Sequence, residues 1–125
     1  MFSGLQPILS SSDLDRLVAF YTGGLDAEVQ YRFPDDGPAG FVSLRVGGGS
    51  LGIAQDGDSP GPEVRQRHAL WLYADDCDAA ARRLVELGAT LVTPPADMPW
   101  GERVADLTDP DGNPLHVAHQ LATDL

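Results

Sequence analysis

At 125 residues, with a formal net charge of −11 and one cysteine, the chain has the length of one domain and no partner for an internal disulfide. This negative charge repels phosphate backbones and anionic lipid surfaces, so we expect no nucleic-acid partner and no membrane partner. All eight basic residues are arginines, which excludes Schiff-base chemistry and a phosphate-binding lysine. The N-terminal stretch MFSGLQPIL lacks the basic and apolar segments of a secretory signal, and we therefore expect a cytoplasmic protein.

The first half of the chain reads as one strand, one helix and three further strands. Leu5–Ser10 alternates like a strand, and Pro7 places it at an edge or at a strand start. Ser11, Ser12 and Asp13 are candidate capping residues for a helix whose apolar residues follow at helical spacing, and Gly23 and Gly24 predict its end. Loops of Gly, Pro and Asp separate three strand candidates, Ala27–Phe33, Phe41–Val46 and Leu51–Gln55.

The second half repeats this order after a polar segment rich in Pro and Gly. His68–Ala74 alternates like a new strand, and Asp75–Leu87 has the acidic start and the apolar stripe of a helix that Gly88 ends. Ala89–Val92 predicts the next strand, and the segment TPPADMPWG that follows is typical of a loop.

The segment from Trp100 to Ala118 predicts a hairpin around the turn residues 109–112, DPDG. We expect Thr108 to pair with Asn113. This register places Val104, Leu115 and Val117 on an apolar face that packs under the helices. It places Arg103, Ala105 and His116 together on the other face.

The two halves superimpose at a constant offset, which takes Gln6 onto His68, Asp13 onto Asp75 and Ala54 onto His116. We therefore predict an α+β fold of two βαβββ modules, residues 1–56 and 67–120, joined by a linker over residues 57–66. Each antiparallel sheet has one face covered by its helix, so the other faces must enclose something, and we predict a cup. By strand parity the enclosed face carries Gln6, Ile8, His68, Leu70, Leu72, Ala105 and His116.

The repeated βαβββ order, the starts SDLDRLVAFY and HALWLYADDCDAA and the closing PWGERVADLTDPDGNPLHVA resemble the vicinal oxygen chelate superfamily. That superfamily includes glyoxalase I, extradiol dioxygenases, fosfomycin-resistance enzymes and bleomycin-resistance proteins. The resemblance implies the two-module fold along nearly the whole chain, and its most specific part is the segment WGER…DPDGN.

The resemblance also implies metal ligands on the first and last strands of each module, which here means Gln6, Ala54, His68 and His116. Gln6, His68 and His116 offer one amide oxygen and two imidazoles, a set suited to Zn, Ni, Fe or Mn, whereas Ala54 cannot bind a metal. The set carries no charge. It matches neither an iron site of two histidines and one carboxylate nor the glyoxalase pattern, in which carboxylates hold the metal and move protons. The alternative interpretation makes both histidines pocket walls without a metal.

Two further residues are candidate ligand contacts beside the apolar wall formed by Ile8, Leu70 and Leu72. Trp100 can stack on a ligand or pack against a loop, and Arg103 can hold an anionic or carbonyl group or pair with a neighbouring carboxylate. The alternation of the strand assigns Trp71 and Tyr73 to the core under the helices. Cys77 reads as an inert core thiol, and we expect His119 to be exposed.

Two functions fit this sequence. The first is a homodimer that binds a small, mostly apolar or cationic molecule, as in the antibiotic-sequestering branch of the superfamily, without an assured cofactor. The second is a divalent-metal enzyme, a lyase, isomerase or dioxygenase acting on vicinal oxygens, for which the sequence supplies no evident base. The residues identify neither the ligand nor a catalytic group.

Overall fold

The computed structural model describes residues 1–122, which form two compact units divided between Pro60 and Gly61. The first unit contains the strands β1 (Ile8–Ser11), β2 (Glu28–Phe33), β3 (Phe41–Val46) and β4 (Gly49–Gln55) with the helix α1 (Leu14–Leu25). The second contains β5 (Leu70–Tyr73), β6 (Thr90–Asp97), β7 (Glu102–Thr108) and β8 (Pro114–Gln120) with α2 (Cys77–Glu86). Neither helix has the length and apolar character needed to cross a bilayer.

Both units have the same sheet topology. The strand order is β1-β4-β3-β2 in the first unit and β5-β8-β7-β6 in the second, and in each the first strand runs parallel to the last. The other neighbours are antiparallel. The predicted fold of two βαβββ modules is therefore confirmed, as is the edge position of the first strand, which begins directly after Pro7.

Each helix is capped by an aspartate that accepts a hydrogen bond from the first turn. Asp13 accepts from the backbone N–H of Arg16, and Asp76 accepts from that of Ala79. The predicted end of α1 at Gly23 and Gly24 is wrong, because the helix continues to Leu25 and stops where Asp26 adopts a left-handed conformation at φ 52°.

The segment predicted as the loop TPPADMPWG is largely strand, since β6 continues to Asp97. Two register shifts against β7 accommodate Pro94 and Pro95. β6 is the edge strand of its sheet, where a missing backbone N–H need not interrupt the hydrogen bonding to a neighbour.

The predicted hairpin register is wrong by one residue. The Asp109 N–H donates to the Asn113 carbonyl at 2.9 Å, and Gly112 takes a φ of 87°, so five residues form the loop instead of four. Thr108 consequently pairs with Pro114, and Asp106 pairs with His116. A shift of one residue in a strand exchanges its two faces.

The face of the second sheet under α2 is identified by contacts from both sides of the hairpin. Arg103 Nε donates to Asp78 Oδ1 at 2.7 Å, and His119 Nδ1 accepts from the Cys77 N–H at 2.7 Å. His119 is thus half-buried, and the prediction that it is exposed is wrong. By alternation the same face carries Ala105, Leu107, Leu115 and Val117, all buried, whereas Val104 lies on the opposite face and not beside Leu115 and Val117 as predicted.

The predicted repeat offset is also too short. The two helix caps correspond in the structure, which aligns Asp13 with Asp76 and not with Asp75. Gln55 and His119 occupy equivalent places in the two units. Gln55 Oε1 accepts from the N–H of the first residue of α1, and His119 Nδ1 accepts from the N–H of the first residue of α2. His116 therefore does not correspond to Ala54.

Cys77 is fully buried at the start of α2, as predicted for a core thiol. Its Sγ lies 3.2 Å from the Val117 carbonyl oxygen. Burial raises the pKa of the Cys77 thiol, and the neighbouring charge of Asp78 adds to this effect, so the reactive thiolate is disfavoured.

Asp109 fixes the five-residue loop, and its removal should destabilise the protein. It is 3% exposed, and its Oδ1 accepts from the backbone N–H groups of Asp111 and Asn113, both at 2.9 Å. We expect Asp109→Ala to lower the free energy of unfolding by about 3 kcal/mol, because two donors lose their acceptor, measured by urea denaturation. The exposed Asp75→Ala should change it by less than about 0.5 kcal/mol. Equal effects of the two variants would contradict this role.

Arg103 joins β7 to α2 through Asp78 and to β6 through Asp97, whose Oδ1 lies 2.9 Å from Nη1. The hydrogen bond from Arg103 lowers the pKa of Asp78. The stabilisation is therefore complete above the usual aspartate pKa of about 3.9 and is lost as pH falls through the lower folded value.

We expect Arg103→Gln to reduce the free energy of unfolding at neutral pH, and the deficit relative to wild type to shrink as the pH falls below about 4. Urea denaturation across this range measures it. Arg67→Gln, an exposed change of the same charge in the segment before β5, is the control. A deficit that stays constant with pH would show that the Asp78 pair is not its source.

Candidate functional site

The face of the second sheet turned away from α2 concentrates aromatic and ionisable side chains. We name this surface the aromatic face, and it consists of Trp71, Tyr73, Trp100, Glu102, Asp106 and His116. The prediction that Trp71 and Tyr73 belong to the core is wrong: they are 42% and 66% exposed. They pair in parallel with His116 and Ala118 of β8, and so their side chains share the face of His116.

One half of the aromatic face is built around the imidazole of His116. Its Nδ1 lies 2.7 Å from Asp106 Oδ1, on the neighbouring strand and directly opposite in register. The Trp71 ring lies against the imidazole with centroids 5.1 Å apart and planes at 32°. The carboxylate therefore fixes the imidazole, and the imidazole supports one side of the indole.

The other half is built around the carboxylate of Glu102. The Trp100 indole N–H donates to Glu102 Oε1 at 2.7 Å, and the Tyr73 hydroxyl donates to the same carboxylate. The bond to Glu102 raises the pKa of Tyr73, and a hydrogen bond from Trp71 offsets part of this rise. Asp106, His116 and Trp71 are thus linked in one half of the aromatic face, and Trp100 and Tyr73 both interact with Glu102 in the other.

A cavity of about 420 Å³ adjoins the aromatic face. It lies between the segment of residues 62–66 and the hairpin, and its wall includes Asp106 and His116. Pro62, Val64 and Val92 make much of the remaining wall apolar. The combination of an apolar wall with a few polar groups is typical of small-molecule sites.

The structure separates the residues that sequence parity had placed together in the second module. Leu70 and Leu72 pair with Leu115 and Val117, so they face α2 and not a ligand, and Ala105 does the same. Arg103 is engaged with Asp78 and Asp97 on that face, away from His116. His68 is exposed and precedes β5. Trp100 lies at the edge of the aromatic face.

In the first unit, Gln6 and Ile8 lie on the sheet face opposite α1, as predicted. Gln6 Oε1 accepts from the Ser43 hydroxyl, which also accepts from Gln30 Nε2 at 2.9 Å. Ile8 and the Phe41 ring meet over Gly52, where an added Cβ would lie within about 3 Å of both. This unit thus has a second open face with aromatic and amide groups.

A metal site does not emerge from the residues that the structure describes. Within residues 1–122, no group of three or more histidine, cysteine, aspartate or glutamate side chains could hold a metal ion. His116 directs Nδ1 to Asp106, and His68 lies outside the strands. Gln6, His68 and His116 stay a predicted ligand set.

Besides Trp71 and Tyr73, which were assigned to the core, the sequence analysis missed Asp106 and Glu102 of the aromatic face. Glu102, Val104 and Asp106 follow one another at every second position of β7, so their side chains share the face opposite Arg103. The signal that could have found them is Gly112 in the hairpin loop, because a left-handed glycine after a turn adds a residue to the loop and changes the pairing.

Comparisons with known proteins agree with this architecture. A family model described as the Glyoxalase/Bleomycin resistance protein/Dioxygenase superfamily matches residues 5–117. The crystal structure of TioX from Micromonospora sp. ML1 superimposes with a TM-score of 0.76 over 96% of this chain and all of TioX, at 24% sequence identity. That likeness shows the fold.

Two sequence relatives differ in how much they share. The uncharacterized protein Mb0911c of Mycobacterium bovis is 30% identical over 118 residues, covering 87% of this chain and 78% of that protein. The anthracycline biosynthesis protein DnrV of Streptomyces peucetius is 51% identical over 49 residues, 39% of this chain but only 18% of DnrV. Given the family match and the repeated βαβββ units, the chain belongs to the Glyoxalase/Bleomycin resistance protein/Dioxygenase superfamily.

Proposed function

We propose that this protein binds a small planar molecule on the aromatic face and does not transform it. The observation that carries the proposal is the exposed indole of Trp71, which lies against the His116 imidazole beside a cavity of about 420 Å³. The hydrogen bond with Asp106 fixes that imidazole. An exposed indole with this support presents a large flat surface at little cost in side-chain entropy.

The geometry favours stacking in a fixed orientation. The imidazole covers one side of the Trp71 ring, so a planar ligand can approach the other side. Stacking of aromatic rings contributes about 0.5–1.5 kcal/mol beyond the burial of apolar area. The neighbouring cavity can take a substituent of the ligand, and Asp106 and His116 on its wall can receive hydrogen bonds from it.

Family and relatives support a role in holding an antibiotic or a related natural product. The superfamily includes bleomycin-resistance proteins by its own description, and DnrV, which shares one segment with this chain, is named for anthracycline biosynthesis. A planar polycyclic molecule fits the aromatic face, because its flat rings can stack on exposed indoles. Sequestration of such a molecule is the role we propose.

The alternative, a metal-dependent lyase, isomerase or dioxygenase, gains one observation from the structure. His116 Nδ1 contacts Asp106, which orients the imidazole and leaves Nε2 as the group that can accept a proton or bind a partner. A histidine held in this way can also serve as a pocket wall, and the described residues include no group of three or more histidine, cysteine, aspartate or glutamate side chains that could hold a metal ion. Binding therefore remains the function that the geometry supports best.

We also propose that the protein is a homodimer. The first unit exposes Ile8, Tyr31 and Phe33 on the open side of its sheet, and the aromatic face does the same in the second unit. Contiguous apolar surface of this kind is uncommon on a monomer and typical of interaction surfaces. A second copy of the chain would cover part of it in a symmetric interface.

Ligand binding can be tested with an anthracycline, whose fused planar rings provide a fluorescent probe. We expect saturable quenching of tryptophan fluorescence by the wild type. We also expect Trp71→Ala to weaken binding about tenfold, equivalent to about 1.4 kcal/mol, because a stacking surface is lost. Trp71→Phe should retain most of the affinity. Isothermal titration calorimetry provides the dissociation constants.

The control is Val85→Ala on α2, which alters a side chain of the same 42% exposure as Trp71 on the other side of the sheet. It should leave affinity unchanged. The titration is repeated after dialysis against EDTA, where we expect the same affinity. Loss of binding with EDTA, restored by one divalent ion, would favour the metal-dependent enzyme, and full affinity of Trp71→Ala would place the ligand elsewhere.

Sedimentation equilibrium tests the dimer. We expect a mass of twice the chain at micromolar concentration, since obligate partners that bury an apolar face associate tightly. Phe33→Glu and Val85→Glu place the same new charge on the open sheet face and on α2, respectively. The first should dissociate the dimer and the second should not. A monomer in the wild type would refute this assembly.

A further inference from the structure

The carboxylate of Glu102 has hydrogen-bond donors but no counter-charge among the described residues. Its two partners, the Trp100 indole and the Tyr73 hydroxyl, are neutral. The nearest arginine in sequence, Arg103, points to the opposite face of the sheet and contacts Asp78 and Asp97 there. Hydrogen bonds from neutral donors fix the position of a carboxylate without cancelling its charge.

The two partners present open aromatic surfaces next to this charge. Trp100 donates through its N–H edge, which leaves the faces of its ring available, and it is 61% exposed. Tyr73 is similarly exposed and is oriented through its hydroxyl. The face of an aromatic ring attracts a cation within about 6 Å of its centre, most strongly for an indole.

The second carboxylate of the aromatic face differs in its surroundings. Asp106 is directed at the imidazole of His116, whereas Glu102 has no basic partner within the part of the chain that the structure describes. The overall charge of −11 raises the local concentration of cations around the protein and adds to the attraction. Glu102 is thus the group on this face that is placed to receive a positive charge.

We propose that Trp100, Tyr73 and Glu102 form a recognition site for an ammonium or delocalised cationic group, so that the aromatic face selects planar cations over neutral planar molecules. This inference rests on the proposed binding function and specifies its ligand class. Glu102 supplies the counter-charge, and the exposed faces of the two rings add their attraction for a cation. An anionic planar ligand is rejected by the same carboxylate.

The test compares two probes of nearly identical shape, 1-methylquinolinium and neutral 1-methylnaphthalene. Dissociation constants are measured by calorimetry for the wild type, Glu102→Gln and Glu86→Gln. The glutamine at position 102 keeps an oxygen for Trp100 and Tyr73 and removes the charge. Glu86 is an exposed residue of α2, so its change to glutamine alters net charge equally on the other side of the sheet.

We expect the wild type and Glu86→Gln to bind the cation about tenfold more tightly than the neutral probe, a difference of about 1.4 kcal/mol. Glu102→Gln should bind both probes alike, because the charge that favours the cation is removed. In the wild type, the preference for the cation should also decrease between about 50 mM and 500 mM salt, because exposed charges are screened. This salt measurement requires no variant.

The other outcomes separate the inference from the function on which it rests. Equal affinity of the wild type for both probes would overturn the cation site and leave the binding function in place. A preference that survives in Glu102→Gln and at high salt would overturn the role of Glu102. Failure of the wild type to bind either probe would count against both proposals.

Discussion

The arrangement of the aromatic face depends on the carboxylate of Asp109, which is buried in the hairpin loop. It accepts from two backbone N–H groups and from the Asn113 amide, and it thereby holds a five-residue connection in place. With this connection Asp106 lies opposite His116. With one residue fewer, His116 would face Ala105 and the imidazole would lose its partner. A residue buried in the hairpin loop therefore determines which side chains the aromatic face presents.

Much of the fold follows from local signals in the sequence. Aspartate caps, apolar stripes and glycine-rich loops predict both helices and the order of all eight strands, because each signal acts over a few residues. The boundaries that failed involve competition with tertiary structure. Gly23 and Gly24 do not end α1, since packing of the helix outweighs their low propensity, and the prolines of β6 are tolerated at a sheet edge.

The site was less predictable than the fold, because an error of one residue along a strand assigns its side chains to the wrong face. His116 and Trp100 were identified as candidates, yet the constant repeat offset and the four-residue loop each misplaced the pairing of the last strand. An error of one position leaves a predicted strand in its place but assigns every side chain of that strand to the opposite face. Leu70 and Leu72 were therefore assigned to the ligand and Trp71 to the core, opposite to their positions in the structure.

The two faces of the second sheet differ in how their charged side chains are paired. Under α2, Arg103 is matched by Asp78 and Asp97, so the charge there contributes to the joining of helix and sheet. On the aromatic face, the carboxylate of Glu102 is held by neutral groups. These groups add little to the stability of the fold, because the indoles are exposed and the carboxylate has no ion pair among the described residues. The proposed ligand, which supplies both a flat surface and a positive charge, would account for their arrangement.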